Sequence, residues 1–308
     1  MKLALVWSTP NEIDPNRYLR PLIERALRKR VTLDVFDSAL PMGSFGKTHY
    51  DLILVVGTLL TLQLQVIDLI TSKKRSKIFF WNFEDPYDFD FTRQWELRFD
   101  HIFTVEKKAI PYYRNRSVTY LPLAGDLEAH SRKPGSQREK NILIAGSEYQ
   151  RRSALTDRLA IMLPQLPIWR VGDSSSVIPN VKKIGRVDNA RLADLDSLAS
   201  FSVVIGREFD FSNHEMSVPA GSPGPRIFEA LHANGRLLVD LFTIDLHDTN
   251  PDLVAFVMFF DSMESLINQI SNPNQSKFEN ADDRAAWMQK HHTYDNRVQT
   301  ILKQLKEH

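Results

Sequence analysis

The stretch SPGPRIFEALHANGRLLV, residues 222–239, carries the densest chemical pattern in the chain. A loop containing Gly221, Ser222 and Gly224 leads into a helix whose first turn suits Pro225. Arg226 and Glu229 stand three apart and share one helix face, which fits an ordinary ion pair or two groups turned toward a ligand. A second stretch, AGSEYQRR at 145–152, sets Gly146 and Ser147 between a strand and a helix. Such a small-residue turn can bring backbone N–H groups to a phosphate, and Arg151 or Arg152 could add a bidentate grip. A plain strand-to-helix turn with exposed arginines would read the same way. A third stretch, FFWNFEDPYDFDF at 79–91, places Glu84 and Asp85 beside Trp81, Phe83 and Tyr87. Carboxylates next to aromatic faces at a strand end suit a sugar or another ring-shaped ligand. Core aromatics beside a turn fit equally.

Other patterns exclude chemistry. Gly46-Lys47-Thr48 has the ending of a phosphate-binding P-loop, but the glycine required five residues earlier is Pro41, and a strand follows instead of a helix. Asp88 and Asp90 form a D-x-D, as do Asp194 and Asp196. Such a pair can hold a divalent metal on a nucleotide-sugar diphosphate, although a solvated acidic turn after Pro86 explains the first one. The nine histidines show no H-E-x-x-H spacing, and His291 and His292 would diverge on a helix. No metal site is expected. No G-x-S-x-G elbow occurs, and with no cysteine there is no disulfide or thiol chemistry.

These groups need elements to position them. Apolar runs at 3–7, 31–36, 52–56, 78–81, 101–105 and 118–121 read as strands covered on both faces, because they do not alternate. Amphipathic stretches at 16–30, 61–72 and 107–113 read as helices between them. A polar stretch at 130–140 reads as a linker, and the strand-and-helix succession then restarts and ends in helices. The expectation is an α/β protein with an N-terminal domain at 1–137, a second α/β domain at 138–290 and a C-terminal helix at 291–308. Paired α/β units bind ligands in the cleft between them, at the carboxyl ends of their strands. With 39 basic and 38 acidic residues, the near-neutral chain argues against nucleic acid as a partner. No stretch approaches the ~20 apolar residues of a membrane helix, and the expected setting is the cytoplasm.

Several segments, in order, resemble one family. RIFEALHANGRLLV is similar to the R-x-F-E-A-x-A-x-G segment of CgeB-like (spore maturation protein type) glycosyltransferases of the GT-B superfamily. FFWNFEDPYDFDF with FDHIFTVEK, YLPLAGD, NILIAGSEYQRR and HTYDNRVQTIL resemble further segments of that family, across about residues 78–308. The resemblance implies two Rossmann-like domains facing each other across a cleft, with the C-terminal helix crossing back to the first. It implies sugar transfer, a hexose, from a nucleoside-diphosphate sugar such as a UDP-sugar to an acceptor hydroxyl, with no other cofactor and no metal. The second domain would bind the donor: Glu229 its ribose, the loop of Gly221, Ser222 and Gly224 the sugar and diphosphate, and Gly146, Ser147, Arg151 and Arg152 the diphosphate charge. Glu84 or Asp85 would serve the acceptor, as base if the reaction inverts. The wider superfamily has a second glutamate where this chain has Gly221; the preceding segment supplies Arg207, Glu208, His214 and Glu215 instead, with His214 a further catalytic candidate. A non-catalytic nucleotide- or sugar-binding protein on the same fold, and a metal-dependent D-x-D transferase, are the alternatives.

Overall fold

A computed structural model describes all residues except 39–44, 46–47, 63, 73–74, 133–137, 209–210, 274–280 and 308, and the side chains of 64, 65 and 281. Most of the P-loop-like stretch therefore lies outside the described residues. The chain forms two compact units. The first comprises Met1–Leu123, Asp210–Ala220 and Tyr294–His308; the second comprises Ala124–Phe209 and Gly221–Thr293.

In the first unit, strands β1 (Lys2–Trp7), β2 (Thr32–Asp37), β3 (Leu52–Gly57), β4 (Lys77–Asn82), β5 (His101–Thr104) and β6 (Val118–Tyr120) form one sheet in the order β2-β1-β3-β4-β5-β6. All neighbours run parallel. Parallel strands must be covered on both faces, so β3 is buried from Leu52 to Val56. Helices α1 (Arg20–Arg28), α2 (Leu64–Thr71) and α3 (Phe89–Trp95) belong to this unit. The expected helix at 107–113 is instead a 3-10 stretch, Lys107–Tyr112, containing Pro111, which has no N–H to give an α-helical ladder.

The second unit repeats the plan. It holds α4 (Leu127–His130), β7 (Glu139–Ala145), α5 (Gln150–Met162), β8 (Ile168–Val171), β9 (Val181–Gly185), α6 (Asn189–Leu198), β10 (Ala199–Val204), α7 (Pro225–His232), β11 (Leu237–Asp240), α8 (Leu246–Thr249), β12 (Val257–Phe260), α9 (Met263–Ser271) and α10 (Ala281–His291). Its parallel sheet runs β12-β11-β10-β7-β8-β9. The chain order reverses between β7 and β10, the switch point where ligands bind in such sheets. The last helix, α11 (Tyr294–Glu307), packs in the first unit, where Lys29 meets Asp295 at 2.9 Å. No described helix is long and apolar enough to cross a membrane.

Two expectations about organisation are corrected. The first boundary falls at Leu123/Ala124 rather than at 137. The reason is that the chain past Leu123 is already packed in the second unit: a Cβ at Gly125 would lie 2.0 Å from the His232 ring, and the Gly125 N–H donates to His292 O at 3.1 Å. The polar stretch at 130–140 likewise starts with a buried His130 and ends inside β7, so only its centre falls outside the described residues. The second correction is the return of residues 210–220 to the first unit, which no local pattern announced.

Candidate functional site

The turn after β7 sits at the switch point of the second sheet. Gly146 has φ +121°, which a side chain rarely adopts, and a Cβ there would lie 2.7 Å from Arg152 Nη1. The two candidate arginines separate at once. Arg152 is buried and donates to the carbonyls of Ser147 and, at 2.8 Å, Ile205. It therefore ties the turn after β7 to the end of β10. Arg151 stays partly exposed. Its Nε and Nη2 grip the fully buried Asp240 at 2.8 and 3.1 Å, and its guanidinium lies 5.0 Å from the Phe242 ring. The pair of bonds holds Arg151 in one orientation and raises its pKa, chiefly through the hydrogen bonds to Asp240.

Sequence reasoning missed two members of this cluster. Arg170, in β8, is buried and donates to Gly146 O at 2.9 Å and Val171 O at 2.6 Å. Asp240, closing β11, orients Arg151. Each is a charged residue within or ending an apolar strand, and that incongruity was the available signal. Arg207 completes the group with its guanidinium 5.9 Å from the Tyr149 ring, while Arg152 lies 5.4 Å from the same ring. Ser147 is exposed, while its carbonyl and that of Gly146 accept from the buried Arg152 and Arg170.

Helix α7 supplies the other half. Gly224 is its N-cap residue and Pro225 follows, and the Gly221 carbonyl accepts from Asp245 N at 2.8 Å. Ser222 is half-buried and Gly224 exposed. Arg226 grips Asp196 through both terminal nitrogens, at 3.0 and 2.8 Å, and reaches Glu229 Oε2 at 3.4 Å. Burial works against the charge on Arg226, but Asp196 and Glu229 outweigh it and its pKa is raised. Glu229 is 2% exposed, and its Oε1 has no hydrogen-bond partner among the described residues. Its pKa is raised, chiefly by burial. An orphaned buried carboxylate oxygen is rare, because leaving it unpaired costs about 1–3 kcal/mol.

On the first unit the two acidic candidates diverge. Glu84 is partly exposed and accepts from Asn16 Nδ2 at 3.0 Å, so a residue read from sequence only as a helix start orients it. Asp85 is 3% exposed and accepts from Asn82 Nδ2 at 2.7 Å, Thr104 Oγ1 at 2.5 Å and Tyr113 OH at 2.5 Å. Burial, then the nearby Asp88, push its carboxyl up to about 8 against those donors. The Asp85 carboxylate is turned into the unit and braces the loop after β4.

The D-x-D pairs are committed to protein partners. Asp88 accepts from Thr58 Oγ1, and Asp90 accepts three backbone N–H groups from residues 214–216. Asp194 binds Arg132, and Asp196 binds Arg226 and Ser202. Among the described residues no three acidic or histidine side chains are grouped as a metal cage. His214, placed by sequence near the donor residues, belongs to the first unit and is exposed. The structure therefore brings together Gly146, Ser147, Arg151, Arg152 and Arg207 around one turn and Arg226 with Glu229 on one helix, and it separates Glu84, Asp85 and His214 from them by unit.

Residues 127–303, more than half of the chain, match the sequence profile of a family described as glycosyl transferase-like. Among solved structures, HepE from Anabaena in complex with UDP superposes with a TM-score of 0.66 at 11% identity over 100% of both chains. A glycosyltransferase from Rickettsia africae gives 0.67 at 8% identity, over 99% of this chain and 98% of the other. T4 phage β-glucosyltransferase gives 0.56 at 16% identity over 99% of both. No curated protein matches by sequence. The two parallel six-stranded sheets with flanking helices are those of the GT-B fold.

Proposed function

The chain belongs to the glycosyl transferase-like family, and from that premise we propose that it moves a hexose from a nucleoside-diphosphate sugar to an acceptor hydroxyl without a metal. The observation that carries the reading is Glu229: one oxygen is held by Arg226 and the other is buried without a partner among the described residues. A ribose hydroxyl would satisfy that oxygen. The turn of Gly146 and Ser147 would then meet the diphosphate, with Arg151 as its oriented cation and Arg152 and Arg170 bracing the turn from behind. Charge on the leaving diphosphate would be stabilised by preorganised guanidinium groups and backbone N–H donors. HepE is held with UDP and with UDP-glucose, which makes a UDP-sugar the first donor to test here. The CgeB-like resemblance and a cytoplasmic setting are parts of the same proposal; a cysteine-free chain suits a reducing compartment.

UDP is expected to raise the melting temperature of the parent, because a ligand that binds only the native state stabilises it by mass action. Glu229→Ala should weaken UDP binding roughly tenfold to a hundredfold, the worth of one charge-assisted hydrogen bond. Calorimetric titration checks both. Equal affinity in parent and variant would remove Glu229 from the donor site, and a parent blind to every nucleoside diphosphate would remove the transferase reading. Binding of UDP-sugars without turnover would favour the non-catalytic alternative.

Release of UDP from UDP-glucose is expected to continue in EDTA. The D-x-D carboxylates already accept from protein donors, so a metal would have to displace those bonds. Complete dependence on manganese or magnesium would instead point to a metal-dependent transferase.

A further inference from the structure

One segment departs from the two-unit plan. Residues 210–220 lie in sequence between Arg207 with Glu208 and the loop of Gly221, Ser222 and Gly224, all of the second unit, yet they pack in the first. Tyr87 O accepts from Phe211 N and Ser212 N at 2.8 and 2.9 Å, and Val218 enters the first unit's apolar core. Asn213 closes the segment on itself through Val218 N and O, both at 2.8 Å. Its central anchor is Asp90 in the first turn of α3. Asp90 Oδ2 accepts from His214 N at 2.6 Å and Glu215 N at 2.9 Å; Oδ1 accepts from Met216 N at 3.0 Å; and Asp90 N donates to Ser212 O at 2.9 Å. Successive backbone N–H groups of this kind form a concavity that binds anions. Here the anion is an internal carboxylate, and the side chains of His214 and Glu215 project to the exposed surface.

We propose that Asp90 is a positioning residue for acceptor recognition: by gripping three consecutive backbone N–H groups it holds His214 and Glu215 on the first unit, where they hydrogen-bond the hydroxyls of a sugar acceptor. This rests on the transferase reading. The same geometry explains the first D-x-D without a metal and reassigns His214 from the donor loop to the acceptor side. Three amides aligned on one carboxylate fix the backbone of these two residues. Without the carboxylate the amides have only solvent to bind, and the side chains lose their fixed origin.

The test compares the full-length parent with Asp90→Asn, Asp90→Ala, His214→Ala and Glu215→Gln. Hydrogen exchange at the amides of 214–216 needs no turnover and should speed up more than tenfold in the two Asp90 variants only. UDP affinity should stay within twofold of the parent in all four. With UDP-glucose as donor, UDP release to water should persist in the two Asp90 variants, while the extra release produced by a pool of monosaccharides and alkyl glycosides should fall more than tenfold in all four, through acceptor KM before kcat. Asp90→Asn, which retains one acceptor oxygen, should keep more of this release than Asp90→Ala. Unchanged exchange at 214–216 would overturn the anchor. Acceptor-dependent release at the parental level, or absent for the parent itself, would overturn the recognition role, and so would a loss of UDP affinity equal to the loss of transfer. A parent that binds no UDP would fail the transferase reading separately, with the exchange result still standing.

Discussion

Lowering the pH from 6.5 toward 4 is expected to destabilise the second unit through two buried histidines. His130 and His232 are 1% and 4% exposed, and burial is the main cause that pushes each down from 6.5 to about 4. Asp126 favours the charged form of both; Arg226 and Arg132 oppose it at His130, and His130 and His292 oppose it at His232. The hydrogen bonds agree with neutral rings. His130 Nδ1 accepts from Asp126 N at 3.0 Å while its Nε2 is buried without a partner among the described residues, and His232 Nε2 donates to His292 O at 3.0 Å. Between the two pKa values the unfolded chain binds protons that the folded one refuses, so stability is full above 6.5 and falls as pH drops toward 4. A shift of this size is worth up to roughly 3 kcal/mol for one histidine. Asp85, in the other unit and pushed up to about 8, has the opposite sign: its protonated form favours folding at low pH, and that contribution is lost as pH rises toward 8. Urea unfolding at pH 7, 6 and 5 separates the terms when the parent is compared with His130→Asn, whose amide oxygen can replace Nδ1, and His232→Gln, whose amide nitrogen can replace Nε2. Each variant should show a shallower loss than the parent over this range. Parallel curves for all three proteins would mean that these rings are not the groups that titrate.

The architecture was legible because it is written in local patterns. Continuous apolar runs gave the positions of most strands, since a parallel strand covered on both faces has no polar side to alternate with. Gly146 and the entrance to α7 were legible for a similar reason: a left-handed φ needs glycine, and a helix start suits proline. What stayed hidden is what distant parts of the chain do for one another. Nothing near Arg151 names Asp240, 89 residues away, and nothing near Asp90 names Met216, 126 away. The same limit explains why Arg151 and Arg152 were interchangeable in sequence: adjacent helical residues face different ways, and only the packed sheet says which meets buried carbonyls.

Glu84→Gln and Asp85→Asn, neighbours in sequence, are expected to fail in different ways. Glu84 is partly exposed at the carboxyl end of β4, and Asn16 Nδ2 holds its carboxylate at 3.0 Å. If it takes the proton from the acceptor hydroxyl, Glu84→Gln should lower transfer by about 10²–10⁴-fold, because the amide keeps the shape and loses the base. Melting temperature and UDP affinity should hardly move, since the side chain is neither buried nor in the donor unit. Asn16→Ala should produce a smaller loss of the same kind, by letting the carboxylate wander. Asp85→Asn should do the reverse. Its oxygens accept from Asn82, Thr104 and Tyr113 inside the unit, and an amide keeps only one accepting oxygen among those three donors. A buried donor left unpaired costs about 1–3 kcal/mol, so this variant should melt earlier. Its transfer rate should fall only as far as the loop after β4 is displaced. Melting temperature, UDP affinity and turnover, measured on the same three variants, separate a proton acceptor from a brace. Parental turnover in Glu84→Gln would take the base role from this carboxylate and leave His214, on the same unit, as the next group to replace.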